Sequence, residues 1–269
     1  RFFKIKRRFN CQAALPTALL RSTADHEVAV LELGMWVPGE IRFLARLARP
    51  QVGIVTNVGP SHLERAGSIE AIANAKAELP ESLPEDGWCI LNADDPRVAA
   101  MAGRTHAQVF TYGQAEGADL RADGIESFGL EGIAFTARHG GVSVPLRLPL
   151  IGRHSVYTAL AAASAGLVLG LTWHEIIAGL CDEEARPRIS VAAARGGATI
   201  IDDTYNATPA SALAALDLLA DLPGRKLAVL GDMLELGAVE EAGHREVGRR
   251  AAAVADILIT VGNRARWYA

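Results

Sequence analysis

The feature that most constrains the fold is an alternation of short apolar runs with helical patterns. Residues 28–33, 52–56 and 88–91 are short runs rich in β-branched and aliphatic side chains, and helical patterns separate them. Runs of this length between helices are typical of buried parallel strands. The alternation therefore predicts an α/β fold whose core is a doubly wound, three-layer and mostly parallel sheet.

The pattern changes between about residues 119 and 150. Residues 133–137 and 142–148 alternate apolar with polar side chains, and Gly140-Gly141 between them is typical of a hairpin turn, which predicts an antiparallel appendage. A charged segment with a proline follows at 182–188, and a second series of strands and helices begins after it. We therefore predict a central domain of residues 1–184 and a second α/β domain of residues 185–269.

Composition excludes several classes of protein. Half of the 269 residues are apolar, and a net charge of −4 argues against a general nucleic-acid binder. The three cysteines, Cys11, Cys89 and Cys181, are far apart, which argues against a disulfide framework and favours a reducing cytoplasm. The longest apolar stretch, residues 159–171, is too short to cross a bilayer. We expect a cytoplasmic protein with no membrane span and no nucleic-acid partner.

Polar residues lie at the ends of the first two predicted strands. In open α/β sheets, ligands gather at the carboxyl ends of the strands, and here the first strand ends near Glu32 while Asn57 and His62 follow the second. Glu32 and His62 could ligate a divalent cation, and Mg²⁺ with phosphate oxygens suits the oxygen preference of such a site. Glu32 could instead be a partly buried structural carboxylate, and His62 a turn residue after Gly59-Pro60.

Adjacent acids follow two other strands. Asp94-Asp95-Pro96 fits the start of a helix, with aspartate at the N-cap and proline at the first helical position. Asp202-Asp203 is more suggestive of function, because two acids beside an apolar run cost desolvation energy unless they are used. Lys76, in an alanine-rich helix, would by default be solvated. No Gly-Lys dipeptide occurs, so the chain carries no self-sufficient phosphate-binding loop.

Several motifs, taken together and in order, resemble the Mur ligase family over nearly the whole chain from about Phe9. They are Val30-Leu-Glu-Leu-Gly-Met35, Thr56-Asn-Val-Gly-Pro-Ser-His-Leu-Glu64, Ala75-Lys-Ala-Glu78, Gly152-Arg-His154, Asp202-Asp-Thr-Tyr-Asn-Ala207 and Gly231-Asp-Met-Leu-Glu-Leu-Gly237. The last two motifs, with His244, are most similar to the members that join D-Ala-D-Ala to UDP-MurNAc-tripeptide. The resemblance implies an ATP-binding central domain followed by a partial Rossmann-like C-terminal domain, with truncation at both ends.

The resemblance implies an ATP-dependent amide-bond ligase of peptidoglycan synthesis. In such enzymes ATP phosphorylates the terminal carboxylate of the peptide, and the amine of D-Ala-D-Ala attacks the resulting acyl phosphate. The implied partners are UDP-MurNAc-tripeptide and D-Ala-D-Ala, and the implied state is a monomer. Two alternatives stay open, another Mur-type amino-acid ligase or a non-catalytic fragment, because the family's uridine-nucleotide domain and Gly-Lys-Thr loop are not found.

The resemblance also assigns roles to individual residues. Glu32, His62 and Lys76 match the family's catalytic Mg²⁺ ligands, with Lys76 acting as a carbamate. The lysine carbamate would supply the negative charge that a free ammonium cannot offer a metal. This implication favours a functional Lys76 over a merely solvated one.

The nucleotide and amine sites follow in the same way. The expected nucleotide-binding residues are Asn57, which would order the metal and phosphate edge, and His154, Ser155, Arg188 and Asp203. Tyr205 and Asn206 are expected to line the site of the amine substrate. Ser155 stands where the family has an adenine-contacting asparagine, and it offers a shorter reach and one polar group instead of two.

Overall fold

The computed structural model describes residues 2–4, 12, 14–61, 63–182 and 189–269, with only the backbone at residues 2–4 and 14. Its strands are β1 (Phe2–Lys4), β2 (Val28–Val30), β3 (Val52–Val55), β4 (Trp88–Asn92), β5 (Gln108–Gly113), β6 (Leu120–Ser127), β7 (Ile133–His139), β8 (Val142–Leu148), β9 (Ser190–Ala193), β10 (Thr199–Asp202), β11 (Leu227–Gly231) and β12 (Ile257–Val261). Its α-helices are α1 (Ala14–Leu19), α2 (Glu40–Ala48), α3 (Leu63–Ala66), α4 (Ile69–Ala77), α5 (Pro96–Ala99), α6 (Ser155–Val168), α7 (Trp173–Leu180), α8 (Pro209–Asp221) and α9 (Glu240–Val254). The contacts divide the chain into two compact units, residues 1–111 and 112–269.

The largest sheet has the strand order β3-β4-β5-β6-β7-β8. The pairs β3–β4 and β5–β6 are parallel, whereas β6–β7 and β7–β8 are antiparallel. Gly140 and Gly141 both have positive φ, 56° and 79°, as a two-residue hairpin turn between β7 and β8 requires. The predicted α/β class, with a mostly parallel sheet and an antiparallel appendage, is confirmed.

Helices α2 and α4 of the first unit form on local sequence signals. Ser68 caps α4, because its Oγ accepts a hydrogen bond from the backbone N–H of Ala71. Helix α2 buries Ile41, Leu44 and Ala45 on one face, as helical spacing predicts. Strands β3 and β4 contribute Val55, Cys89 and Leu91 to a buried core that also contains Ala77 of α4.

The prediction of a buried strand at residues 28–33 is wrong in length and in burial. Strand β2 covers only Val28–Val30 and pairs in parallel with β1 in a two-stranded sheet. Val30 remains 60% exposed. An apolar run indicates a capacity for burial, but burial also needs layers of structure on both faces of the strand, and the described residues do not cover this two-stranded ribbon in that way.

The C-terminal part of the second unit has its own core. Strands β11 and β12 pair in parallel, and α8 and α9 contribute Leu216 and Val247 to a cluster with Met233 and Tyr268. Strand β10 pairs antiparallel with β9, a strand that the sequence analysis missed. The predicted domain boundary between residues 184 and 185 falls outside the described residues. In the part of the chain that the structure describes, no helix is both long and apolar enough to cross a membrane.

Candidate active site

Lys76 lies in the last turn of α4 and reaches back toward the end of β3. Its Nζ donates a hydrogen bond to the backbone carbonyl oxygen of Asn57 at 2.6 Å. Burial lowers the pKa of the Lys76 ammonium, while the negative charge of Asp95 acts in the opposite direction. Lys76 is therefore a partly desolvated lysine aimed at a strand end, and the reading of a merely solvated lysine is wrong.

The chain after β3 is held by residues that follow β4. The side-chain amide of Asn92 donates to the carbonyl oxygen of Thr56 at 2.9 Å, and the N–H of Val58 donates to Asp95 Oδ2 at 2.7 Å. These bonds fix the backbone on both sides of Asn57, whose side chain is exposed. We call Asn57, Val58, Lys76, Asn92 and Asp95 the Lys76 cluster. Its polar contacts join residues far apart in the sequence.

Asp95 also starts the next helix. Its Oδ1 accepts hydrogen bonds from the backbone N–H groups of Arg97 and Val98, and Pro96 occupies the first helical position of α5. The predicted helix cap is confirmed. With the bond from Val58, the carboxylate accepts from three backbone N–H groups, so it ties α5 to the chain after β3.

The structure describes only some of the predicted metal ligands. Glu32 is exposed in the loop between β2 and α2, and His62 lies outside the described residues. No cluster of three or more His, Cys, Asp or Glu side chains suited to a metal occurs within the described ranges. The joint placement of Glu32, His62 and Lys76 around Mg²⁺ remains a prediction.

His154 and Ser155 lie where α6 begins, in the second unit. The His154 ring packs against Gly152, since a Cβ at that glycine would stand 2.6 Å from the ring's Cε1 atom. Burial lowers the pKa of His154, whereas the charges of Asp203 and Asp217 act to raise it. Ser155 is buried, and its Oγ donates to the carbonyl oxygen of Ile151 at 2.6 Å, which leaves this hydroxyl only acceptor capacity toward a ligand.

A cleft of about 390 Å³ opens beside His154. Its lining residues are Gln114, Gly124, Ile125, Arg153, His154 and Tyr157. Gln114 Nε2 donates to the Tyr157 hydroxyl at 2.7 Å, and Arg153 donates to the carbonyl oxygen of Ile125 at 2.8 Å. The sequence analysis missed Gln114, although its position directly after β5 obeys the same strand-end rule that found Asn57.

The segment after β10, residues 202–206, is named the Asp202 loop. Asp202 is exposed, and its Oδ1 accepts from the N–H and the hydroxyl of Thr204 at 3.0 and 2.7 Å. These bonds lower the pKa of the Asp202 carboxyl. Tyr205 is 66% exposed, and Asn206 Oδ1 accepts from the N–H of Ala207. For Asp202, the argument from desolvation cost is wrong, because the carboxylate stays in water and closes a local turn.

The contacts of His244 give it a structural role. The buried ring accepts a hydrogen bond at Nε2 from the N–H of Met233, and its Nδ1 lies 2.7 Å from the carbonyl oxygen of Glu240. A carbonyl oxygen can only accept, so Nδ1 is the donor in this contact. His244 thereby holds the turn after β11 against α9. Arg188, the remaining predicted nucleotide ligand, lies outside the described residues.

Two family models match this chain. The Mur ligase middle domain matches residues 2–166, and the domain described as "Mur ligase, glutamate ligase domain" matches residues 187–268. The chain belongs to the Mur ligase family. This Mur ligase chain is 38% identical over 243 residues to the UDP-N-acetylmuramoyl-tripeptide–D-alanyl-D-alanine ligase of Bacillus subtilis, which covers 89% of this chain and 52% of the relative. The Escherichia coli ligase of the same name is 38% identical over 260 residues, covering 95% and 57%.

Solved Mur ligase structures share the fold. MurF from Acinetobacter baumannii superposes with a TM-score of 0.92 at 30% identity, covering 99% of this chain and 59% of that one. MurF from Thermotoga maritima, solved in complex with ADP, gives 0.89 at 28% identity, covering 99% and 62%. This Mur ligase chain thus spans about half to three fifths of the length of these relatives.

Proposed function

We propose that the protein is an ATP-dependent amide-bond ligase that joins D-Ala-D-Ala to UDP-MurNAc-tripeptide in peptidoglycan synthesis. The observation that carries this proposal is the 38% identity, over 89–95% of the chain, to curated relatives named for this reaction. The reaction passes through an acyl phosphate of the tripeptide carboxylate, and the D-Ala-D-Ala amine then displaces phosphate to form the amide bond.

The surroundings of Lys76 support its role as a carbamate. Burial favours the neutral amine, which is the form that can attack CO₂. A C–N bond forms between Nζ and the carbon of CO₂, a proton leaves the nitrogen, and the former cation becomes an oxygen-bearing anion. Together with the carboxylate of Glu32 and the imidazole of His62, it forms a donor set that fits Mg²⁺.

Bound Mg²⁺ would neutralise charge on the phosphates and on the carboxylate that must approach them. We assign Asn57 to ordering this edge, because Asn92 and Asp95 hold the backbone on either side of it. His154, Ser155, Arg188 and Asp203 are assigned to the nucleotide. Tyr205 and Asn206, in the exposed Asp202 loop, are assigned to the amine substrate.

We place the reaction in the cytoplasm. The free thiols of Cys89 and Cys181 fit a reducing compartment. Burial raises the pKa of Cys89 to about 12, so this thiol packs in the core and takes no part in the reaction. We further propose that the protein acts as a monomer, which sedimentation at assay concentration would check.

The test is phosphate release from the purified protein with UDP-MurNAc-tripeptide, D-Ala-D-Ala and MgATP. We expect release only when all three are present, and a product whose mass equals that of both substrates joined with loss of water. Replacing D-Ala-D-Ala by single amino acids distinguishes other Mur-type activities. No phosphate release from folded protein that binds MgATP would overturn the proposal.

A further inference from the structure

A buried carboxylate lies two residues beyond Lys76 and plays no part in the reaction described above. Glu78, the C-cap residue of α4, is only 6% exposed. Its Oε1 accepts a hydrogen bond from the backbone N–H of Gly39 at 2.7 Å, and its Oε2 accepts from the N–H of Arg42 at 3.0 Å. Both oxygens are therefore committed to the first turn of α2, where the helix dipole favours a negative charge.

A second carboxylate fixes the chain just before that turn. Glu40 Oε2 accepts from the N–H groups of Trp36 and Val37, at 2.5 and 3.1 Å. Glu40 belongs to α2 itself, so these two bonds of its Oε2 atom shape the loop locally. Glu78 comes from another helix, so its bonds decide where the loop and the start of α2 lie relative to α4.

These contacts join the two segments that carry the described members of the predicted metal site. Lys76 precedes Glu78 by two residues on α4, and Glu32 precedes Trp36 by four residues in the loop before α2. A carboxylate buried to this extent needs compensation for lost hydration, and the two N–H donors supply it. A shift of either segment would break one of these bonds.

We propose that Glu78 is a positioning residue, which ties the first turn of α2 to the end of α4 and thereby sets the separation of Glu32 from Lys76. This inference rests on the proposed function, because it assumes that Glu32 and Lys76 share a metal ion. Glu78 does not touch the metal. Its bonds hold the segments that carry the ligands rather than the ligands themselves. Loss of a partner that bonds a metal ligand directly typically costs about ten- to a hundredfold in metal affinity, and we take the same range for the loss of Glu78.

Glu81, one turn later, offers a matched control. It is also a carboxylate and also contacts Arg42, but through the guanidinium, Arg42 Nη2 to Glu81 Oε2 at 3.0 Å, and it bonds Arg104 in the same way. Burial alone would raise the pKa of Glu81, but the hydrogen bonds from Arg104 and Arg42 outweigh it and leave the pKa lowered. Glu81→Gln removes a charge beside the same residue without disturbing the backbone N–H groups of α2.

The experiment titrates Mn²⁺ alone into the bicarbonate-equilibrated protein and measures free Mn²⁺ by electron paramagnetic resonance. We expect Glu78→Gln to weaken Mn²⁺ binding about ten- to a hundredfold and Glu81→Gln to leave it within about twofold. Amide exchange at Gly39 and Arg42 should accelerate in Glu78→Gln alone. Glu78→Asp keeps the charge but is one methylene shorter, so its affinity should lie between those of the parent protein and Glu78→Gln.

Each outcome decides a separate point. Equal Mn²⁺ affinity in the parent, Glu78→Gln and Glu78→Asp proteins would overturn the positioning role and leave the proposed function standing. If Glu78→Gln does not fold, parent-like affinity in Glu78→Asp overturns the role by itself. If the parent protein binds no Mn²⁺ at millimolar concentration, the metal site fails and this inference fails with it.

Discussion

The Lys76 cluster and the Asp202 loop both follow strands and both carry predicted site residues, but they are built differently. In the Lys76 cluster, hydrogen bonds join residues 19 to 37 positions apart, and the lysine is partly buried. In the Asp202 loop, the side-chain bonds of Asp202 and Asn206 reach two positions and one position along the chain, and both residues are exposed, as is Tyr205. The Lys76 cluster depends on tertiary structure for its geometry, whereas these bonds of Asp202 and Asn206 close locally.

The difference between long-range and local bonds matches the task that we propose for each region. A metal site needs donors held in place before the ligand arrives, and long-range bonds provide that order. A substrate loop needs charge and access, and local turns keep Asp202 ionised at the surface. Five substitutions test this contrast, given from the largest expected effect to the smallest.

Lys76→Ala should abolish most ligase activity. Loss of the amine removes the proposed carbamate, and removal of one group that stabilises a transition state costs about a hundredfold or more. Phosphate release measures the effect, and added small carboxylates should restore part of it by occupying the vacated space. Lys226→Ala serves as the control lysine. If Lys76→Ala were as active as the parent protein, Lys76 would not belong to the site. The proposed difference between the two regions would then be wrong.

Asp95→Ala should destabilise the fold by about 2 kcal/mol, because it removes an N-cap and also the acceptor of the Val58 N–H. Urea unfolding of the two proteins at one pH measures this difference. Asp86→Ala, at an exposed turn, should stay within about 0.5 kcal/mol of the parent protein. Equal losses in the two variants would show that the long-range bond of Asp95 adds no stability.

His154 should make stability depend on pH. Its pKa lies below the ordinary 6.5 because of burial, so just below that pH the unfolded chain binds a proton that the folded chain does not. The contribution of His154 to stability is therefore complete above 6.5 and declines as the pH falls below it. Unfolding midpoints at about pH 7.5 and about pH 5.5 should differ less in His154→Gln than in the parent protein.

Asp203→Asn tests one cause of the His154 pKa separately. The charge of Asp203 acts to raise the pKa of His154, so its removal should lower that pKa further. Nuclear magnetic resonance of the imidazole protons follows the titration directly. An unchanged His154 titration in Asp203→Asn would show that this acid has no electrostatic effect on the ring.

Thr204→Val should raise the pKa of Asp202 part of the way to its ordinary value. The variant loses the hydroxyl donor at 2.7 Å but keeps the backbone N–H donor at 3.0 Å, so the rise is partial. Carboxyl ¹³C chemical shifts during an acid titration measure it, and Thr199→Val is the control. A rise of the same size in Thr199→Val would contradict a local turn as the cause.

Local rules predicted the elements well wherever they depend on neighbouring residues. Ser68 and Thr172 cap helices, Asp95 and Pro96 begin α5, and Gly140-Gly141 makes the hairpin turn. Each of these signals acts within about four residues, so a short stretch of sequence contains the whole signal. The same kind of rule failed at residues 28–33, where burial depends on what covers the strand rather than on the strand itself.

The site residues show the same distinction between local and long-range interactions. Lys76 emerged from its motif, but its hydrogen bond to Asn57 and its partial burial depend on α4 packing beside β3. Gln114 and Glu78 escaped the sequence analysis, although Gln114 ends a strand and Glu78 falls within a motif. Nothing local distinguishes an exposed glutamate near a helix end from one whose two oxygens bind the turn of another helix.

The sequence by itself determined the α/β class, the helix caps, the hairpin and, through the order of its motifs, membership of the Mur ligase family. Tertiary structure alone decided that β2 stays exposed, that Lys76 is desolvated and that Glu78 joins two helices. The physical reason is the distance along the chain over which each kind of interaction acts. Capping and turn preferences are settled between neighbours along the chain, whereas desolvation and long-range hydrogen bonds exist only once distant segments have packed together.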